Sequence, residues 1–427
     1  MIWLLIGYMF LFIHRPFEVW PALGTFHIER LYMLGTLLFA LGWPRKKWIP
    51  SRMHYAFGAL AVAVLVCWMA SPWASNPDSE RVVEDYFKIF VFFALVILVV
   101  HDEKDLKTLL KGFLVVMAVY LTHSLWEYKN GRHSYQMMVY RMIGVDTTMG
   151  DANSFGGTIV YVLPFVVPFW MDPPSRCWRW FVAGYVALSL VCVGLTGSRS
   201  AFVGVILAAL VTVLRSKYRV RLGLLLAMIS PLLFFALPDS LQNRFETIID
   251  PSVGPKNADV SARGRIDGFW DGVRLWNDNP FTGCGPGAWR PATGSHIESH
   301  NLYGQVMGEL GSLGILAMLA VLLAFWLNLR WIRKVYKQHP EWGHDFLYRV
   351  AQAVGLGVLL LLFEGNFSHN LYRYHWVWFG GFLIITRYCV QQRLNAEAAV
   401  VEAWNGFDHA GVPAPGPLAY SQRRVPV

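Results

Sequence analysis

The chain has 427 residues, of which 55% are hydrophobic and only 15% charged, with 19 tryptophans and a formal charge of +9. Soluble domains carry about a quarter charged residues. Apolar runs of about 18 residues or more recur along the whole length, which excludes a soluble protein and implies an all-α polytopic membrane protein. A β-barrel is excluded because these runs are continuous rather than short and alternating.

The positive charge does not point to nucleic acid. The basic residues sit in short loops, as the positive-inside rule expects. Cys67, Cys177, Cys192, Cys284 and Cys389 are scattered without a CxxC pair, so neither a disulfide framework nor a zinc site is indicated.

Hydropathy predicts about twelve spans: 1–21, 28–43, 53–72, 86–100, 110–127, 153–171, 178–196, 200–214, 222–237, 301–327, 347–364 and 374–389. The first lacks a basic n-region and a small-residue cleavage site, and reads as a retained helix rather than a signal peptide. Basic clusters fall in every second loop, at 44–52, 101–111, 175–179, 215–221 and 330–337. Those loops, and with them both termini, are expected in the cytoplasm. The loops 128–152 and 238–299 then face outward. Residues 1–394 read as a single transmembrane domain. The tail from 395 to 427 is Pro/Gly/Ala-rich and is expected to be disordered and cytoplasmic. The sequence contains no internal repeat.

This topology sorts the polar residues. Arg199 lies in LTGSRSAF, between two apolar runs at the outer boundary. A charge there is a functional candidate, with a snorkelling or structurally paired arginine equally open. Arg263 and Arg265 stand in the large outer loop, where a guanidinium offers a fork of donors suited to phosphate oxygens. A solvated loop charge is the plainer reading of both. From Arg265 to Trp276 the pattern is that of a short amphipathic helix whose aromatics rest at the membrane interface. Asn279 to Gly287, NPFTGCGPG, reads as a compact turn whose glycines allow positive φ and close backbone approach. It lacks the Lys-Ser/Thr of a P-loop.

His300 opens the tenth span. A histidine there can accept a proton from a hydroxyl, or simply be a satisfied polar residue at a helix start. Together with Glu298 and His296 it makes no recognisable metal spacing. Asp151 or Asn153 is expected to cap the sixth span. Arg141 is another outward cation. His369, Asn370 and Arg373 form a second outward cluster, for which an interfacial loop with aromatic anchors is the favoured reading. Glu127 and Glu364 close spans at the outer face, where either could pair with an arginine.

The order of these segments resembles the O-antigen ligase and Wzy-type O-antigen polymerase superfamily. The resemblance rests on TGSRSA, on Arg265 followed by Phe269 and Trp270, on NPFTGCGPG, on SHNLYGQVMGELGSLGIL and on MGDANSFG, and it covers roughly 140–320. It implies an integral-membrane, GT-C-like glycosyltransferase of the bacterial inner membrane with one large periplasmic loop and a periplasmic active site. The implied partners are an undecaprenyl-diphosphate-linked glycan donor, a lipid A-core or other hydroxyl acceptor and membrane lipids. No nucleic acid, metal or cofactor is implied. Residue by residue, Arg199 and Arg265 correspond to the arginines that bind the donor diphosphate, and His300 to the general base. Arg263 lies within two residues of the loop motif and shares the diphosphate assignment. Arg141, Asn153, Asn301, His369 and Arg373 are secondary candidates. A ligase is the leading expectation, beside a polymerase or a protein O-oligosaccharyltransferase of the same superfamily. From another class, a transporter or flippase of an anionic solute or lipid is disfavoured by the absence of repeat halves and of paired broken helices.

Overall fold

The computed structural model describes residues 1–136, 139–146, 150–216, 218–235, 239–246 and 257–408. The chain begins with α1 (Ile2–His14), two short turns α2 (Pro16–Val19) and α3 (Pro21–Thr25), then α4 (Ile28–Leu41), α5 (Met53–Ala70), α6 (Pro77–Val99) and α7 (Glu103–Lys129). A hairpin follows, β1 (His133–Gln136) antiparallel to β2 (Val139–Met142). Then come α8 (Ala152–Val162), α9 (Val166–Met171), α10 (Arg176–Thr196), α11 (Arg199–Arg215), α12 (Arg219–Phe235), α13 (Asp239–Glu246), α14 (Asn257–Asp278) and α15 (Trp289–Thr293). The chain closes with α16 (Leu302–Gln338), α17 (Phe346–Glu364) and α18 (Tyr374–Asp408).

Each of the twelve expected apolar runs contains a helix. In hydrocarbon only an intrasegment ladder satisfies every backbone N–H and C=O, so helix is the sole economical state for such runs. Among the described residues seven helices are long and apolar enough to cross a membrane: Ile2–Val19, Met53–Ala70, Glu103–Lys129, Ala152–Met171, Arg176–Thr196, Leu302–Gln338 and Phe346–Glu364. Four of the other five fall short for visible reasons. α4 has 14 residues and α11 and α12 have 17 each, while α6 carries Asp78, Glu80, Arg81, Glu84, Asp85 and Lys88 in its first half.

Helix starts follow the sequence chemistry. Asn76, Asp102, Asp151, Ser175, Ser198, Asn301 and Asp345 each accept a hydrogen bond from a first-turn N–H. α18 runs through the core, with Trp376, Trp378, Phe379, Phe382 and Leu383 buried. Leu316, Leu319, Leu323 and Trp326 of α16 are instead exposed along one face, which suits contact with lipid tails.

Three expectations are corrected. The tail is helical to Asp408, because Ala396, Glu397, Ala398 and Ala399 are strong helix formers that carry α18 past Asn395; residues 409–427 lie outside the described residues. Among its described residues, the loop 238–299 holds three helices, α13, α14 and α15. The tenth span extends from 302 to 338 and is broken at Gly311, whose φ of 58° and ψ of −152° interrupt the helix.

That break receives the NPFTGCGPG turn. Cys284 N donates to Gly308 O at 2.8 Å and Gly285 N to Glu309 O at 2.9 Å; Ser312 N donates to Pro280 O at 2.8 Å. Gly283, Gly285 and Gly287 all have positive φ, as the turn requires. The buried Glu309 carboxylate accepts from Gly287 N at 2.9 Å, from Tyr372 Oη at 2.7 Å and from Gln305 Nε2 at 3.2 Å. The turn is therefore strapped to α16 by backbone and carboxylate together.

Candidate functional site

The expected short helix at 265–276 is part of the longer α14, Asn257–Asp278. It packs directly on α16, glycine against glycine. A Cβ placed on Gly272 would lie 2.3 Å from Gly304 O, and one on Gly308 would lie 3.2 Å from the Gly272 Cα. The two pairs, Gly268/Gly272 and Gly304/Gly308, are each spaced four apart, which puts them on one face of each helix and lets the backbones meet. Ile266 and Trp270 remain on the outer side, 60% and 62% exposed.

This docking sets Arg265 and His300 on neighbouring turns of chain. A Cβ on Gly268, one turn after Arg265, would lie 3.5 Å from His300 N and 3.7 Å from Ser299 Oγ. The Arg265 guanidinium carbon lies 5.2 Å from the centroid of the Phe367 ring. Arg265, Ile266, Phe269, Asn301, Asn366 and Phe367 line an open cavity of ≈ 370 Å³. Asn301 caps α16, its Oδ1 accepting from Tyr303 N and Gly304 N at 3.0 Å each. Leu302 N donates to Gly365 O at 2.6 Å and so ties the start of α16 to the end of α17.

Arg199 is the first residue of α11 and is half-buried. The turn before it is held from below. Arg141 Nε donates to Thr196 O at 2.7 Å, its NH2 to Asn153 Oδ1 at 2.7 Å and its NH1 to Gln136 Oε1 at 3.0 Å. Gly197 takes φ 56° and Ser198 caps α11 through Ala201 N. Arg141 is 2% exposed, so it acts as an internal clamp joining β2, α8 and the end of α10. Burial lowers the Arg141 guanidinium to about 10, and Arg199 and Arg265 push the same way against the opposing Asp151. Asp151 is the cap of α8, accepting from Ser154 N at 2.8 Å; Asn153 instead serves Arg141.

Arg265 is likewise held below its ordinary range, by burial and then by Arg199, with Glu364 and Asp151 opposing. Burial also lowers His300 from its ordinary 6.5; Asp151 resists and Arg265 assists. The Asp151 carboxyl is raised by burial, yet the Ser154 N–H and the nearby Arg141, His369 and His300 outweigh this and hold it below the carboxylate range. Arg141, Arg199, Arg265, Asp151, His300 and His369 thus share one electrostatic environment.

The 369–373 segment is tied into the protein interior. Asn370 is 2% exposed and donates to Leu361 O at 2.8 Å and Tyr161 Oη at 3.2 Å. The His369 ring lies 6.0 Å from that of His300, and burial followed by the charge of Arg373 lowers it to about 3. Arg373 also lines a small cavity with Arg15 and Asp85. Arg263 lies on α14, and its side chain is outside the described residues. Glu298 pairs with Arg290 at 2.8 Å rather than with His300, and His296 is exposed. Glu127 lies 3.8 Å from His123, whereas Glu364 is buried under α11, its Oε1 2.6 Å from a Cβ placed on Gly204.

Sequence reasoning missed Phe367 and Asn366 as cavity walls and Glu309 as the anchor of the turn. The GxxxG spacing at 268–272 and 304–308 was a visible signal for the docking of α14. Among the described residues, His339, Glu341 and Glu397 are near enough to share a metal ion. They lie at the far end of α16, about 50 Å of helix from His300.

Residues 184–319 match the family model described as O-antigen ligase. The match includes Arg199, Arg265, His300 and Asn301, and leaves out Arg141, Asp151, His369 and Arg373. No curated protein matches the chain.

Proposed function

We propose that this chain, a member of the O-antigen ligase/Wzy superfamily by its residues 184–319, transfers a glycan from an undecaprenyl-diphosphate carrier to an acceptor hydroxyl at the outer face of the bacterial inner membrane. The members of this family are glycosyltransferase-like enzymes. The chain then crosses the membrane about twelve times with both ends in the cytoplasm, and O-antigen ligation to a lipid A core is its leading reaction.

One observation carries the reading. Docking of α14 on α16 brings Arg265 beside His300, in the same electrostatic environment as Arg199. The leaving lipid diphosphate gains charge as the glycosidic bond breaks. Arg199 and Arg265, held in place beforehand and partly desolvated, stabilise that charge without a metal ion. His300 is kept neutral by burial and by Arg265, so it is ready to take the acceptor's proton as the hydroxyl attacks. General-base action of this kind contributes typically about 10²–10⁴-fold. Attack opposite the leaving group inverts the anomeric carbon. The cavity at Arg265 offers a cation beside Ile266, Phe269 and Phe367, a combination suited to a phosphate attached to a prenyl chain.

The test is reconstitution of the purified protein with a lipid-diphosphate-linked glycan and candidate acceptors, with and without chelator. Release of lipid diphosphate should require acceptor, persist in chelator and collapse in folded Arg199→Ala, Arg265→Ala and His300→Ala variants. Full activity of His300→Ala would remove the general-base assignment, and solute transport without turnover would replace the reading altogether.

A further inference from the structure

On the other side of Arg373 lies a second, strongly polar space. The start of α4, the first half of α6 and the segment after α1 enclose a chamber of ≈ 230 Å³. Its lining is charged but balanced. Four cations, Arg15, Arg30, Arg81 and Lys88, face four carboxylates, Glu18, Glu29, Glu84 and Asp85. Lys88 Nζ stands 3.1 Å from Asp85, 3.2 Å from Glu84 and 3.4 Å from Glu29. Arg15 lies 3.1 Å from Asp85 and Arg30 2.6 Å from Glu84. Arg15 and Lys88 are only 6% and 10% exposed, so these charges are held largely away from water. Glu29 Oε1 is buried and has no hydrogen-bond partner among the described residues.

Desolvated charge at the ends of apolar helices is expensive and is retained where it does something. The chamber also has a neighbour. A smaller cavity of ≈ 60 Å³ shares Arg15 and Asp85 with it and extends to Tyr120, Asp146 and Arg373. Arg373 acts electrostatically on His369, which faces His300. Arg373 thus stands between the chamber's Arg15 and Asp85 on one side and the His369–His300 pair on the other.

We propose that this chamber is the acceptor subsite and that it receives an uncharged, hydroxyl-rich sugar. The inference rests on the glycosyl-transfer reading of the His300 region. Sugar hydroxyls both donate and accept, and an array of fixed ion pairs presents carboxylate acceptors and cationic donors in alternation. A phosphorylated saccharide is poorly served there. Every cation is already matched, and an added anion would face Glu18, Glu29, Glu84 and Asp85. The chamber thus selects neutral sugar at the acceptor end, while Arg199 and Arg265 serve the anionic donor elsewhere.

The test is equilibrium dialysis of the purified full-length protein against radiolabelled neutral trisaccharides of glucose, galactose and mannose, and against glucose 6-phosphate. At least one neutral probe should bind. Glu29→Gln and Glu84→Gln should each weaken it tenfold or more, while Glu341→Gln, exposed at the far end of α16, leaves it within twofold. Glu84 is 46% exposed, so its variant keeps the test valid where the buried Glu29 variant does not fold. Tighter binding of the phosphorylated probe, no neutral binding, or binding indifferent to both variants overturns the proposal. A failure of the transferase reading looks different: no acceptor-dependent release of lipid diphosphate, with saccharide binding and its loss in the variants intact.

Discussion

Gly272 and Gly304 touch so closely that a Cβ on Gly272 would stand 2.3 Å from the Gly304 carbonyl oxygen. The consequence reaches Arg265 two turns earlier on α14, which is carried to the side of His300 by this contact. Gly272→Ala should force α14 off α16. Overpacking of this kind costs about 1–3 kcal/mol, read as a lowered melting temperature in detergent. Turnover should fall much further than stability does, because Arg265 and His300 separate. An active Gly272→Ala protein would mean that the docking does not assemble the site.

Arg265 and Arg141 should respond oppositely to loss of charge. Burial and then Arg199 disfavour the charged form of Arg265. Arg265→Met should therefore leave melting unchanged or raise it while abolishing transfer, the pattern expected of a residue kept for function. Arg141→Met leaves Thr196 O, Asn153 and Gln136 without their donor in a buried setting. A loss of at least about 2 kcal/mol is expected. Equal melting of the two variants would contradict this division.

The pH profile carries a signed expectation. Burial and Arg265 hold the His300 conjugate acid below the ordinary 6.5, so the neutral base is present throughout the neutral range and is lost only as pH falls below that value. The acid limb of kcat/KM should lie below 6.5. Asp151→Asn removes the opposing carboxylate and should move the limb further down, because an amide oxygen can still cap α8. A limb unmoved by this change would detach it from His300.

Glu309 offers a test remote from the chemistry. Glu309→Ala strips a buried acceptor from Gly287 N, Tyr372 Oη and Gln305 Nε2 at once. Each orphaned group costs about 1–3 kcal/mol. The NPFTGCGPG turn should loosen, seen as faster amide exchange at 283–288. Glu309→Gln, which retains one acceptor oxygen, should lose less.

Composition and periodicity by themselves determined the helical membrane class, the positions of the twelve apolar runs and the turn at Gly283–Gly287. These are local properties, since transfer of apolar side chains and satisfaction of the backbone are decided within a segment. Residues 395–408 escaped that logic because the tail's overall composition concealed a short alanine-rich stretch. Tertiary structure alone decided which of the loop cations is a structural clamp. Arg141 is engaged by Thr196, Asn153 and Gln136, which lie up to 55 residues away. It alone showed that Arg15, Glu29 and Lys88 meet, since a charged chamber forms only when α1, α4 and α6 converge. The same holds for Arg265 and His300: thirty-five residues separate them along the chain, and two glycine pairs bring them together.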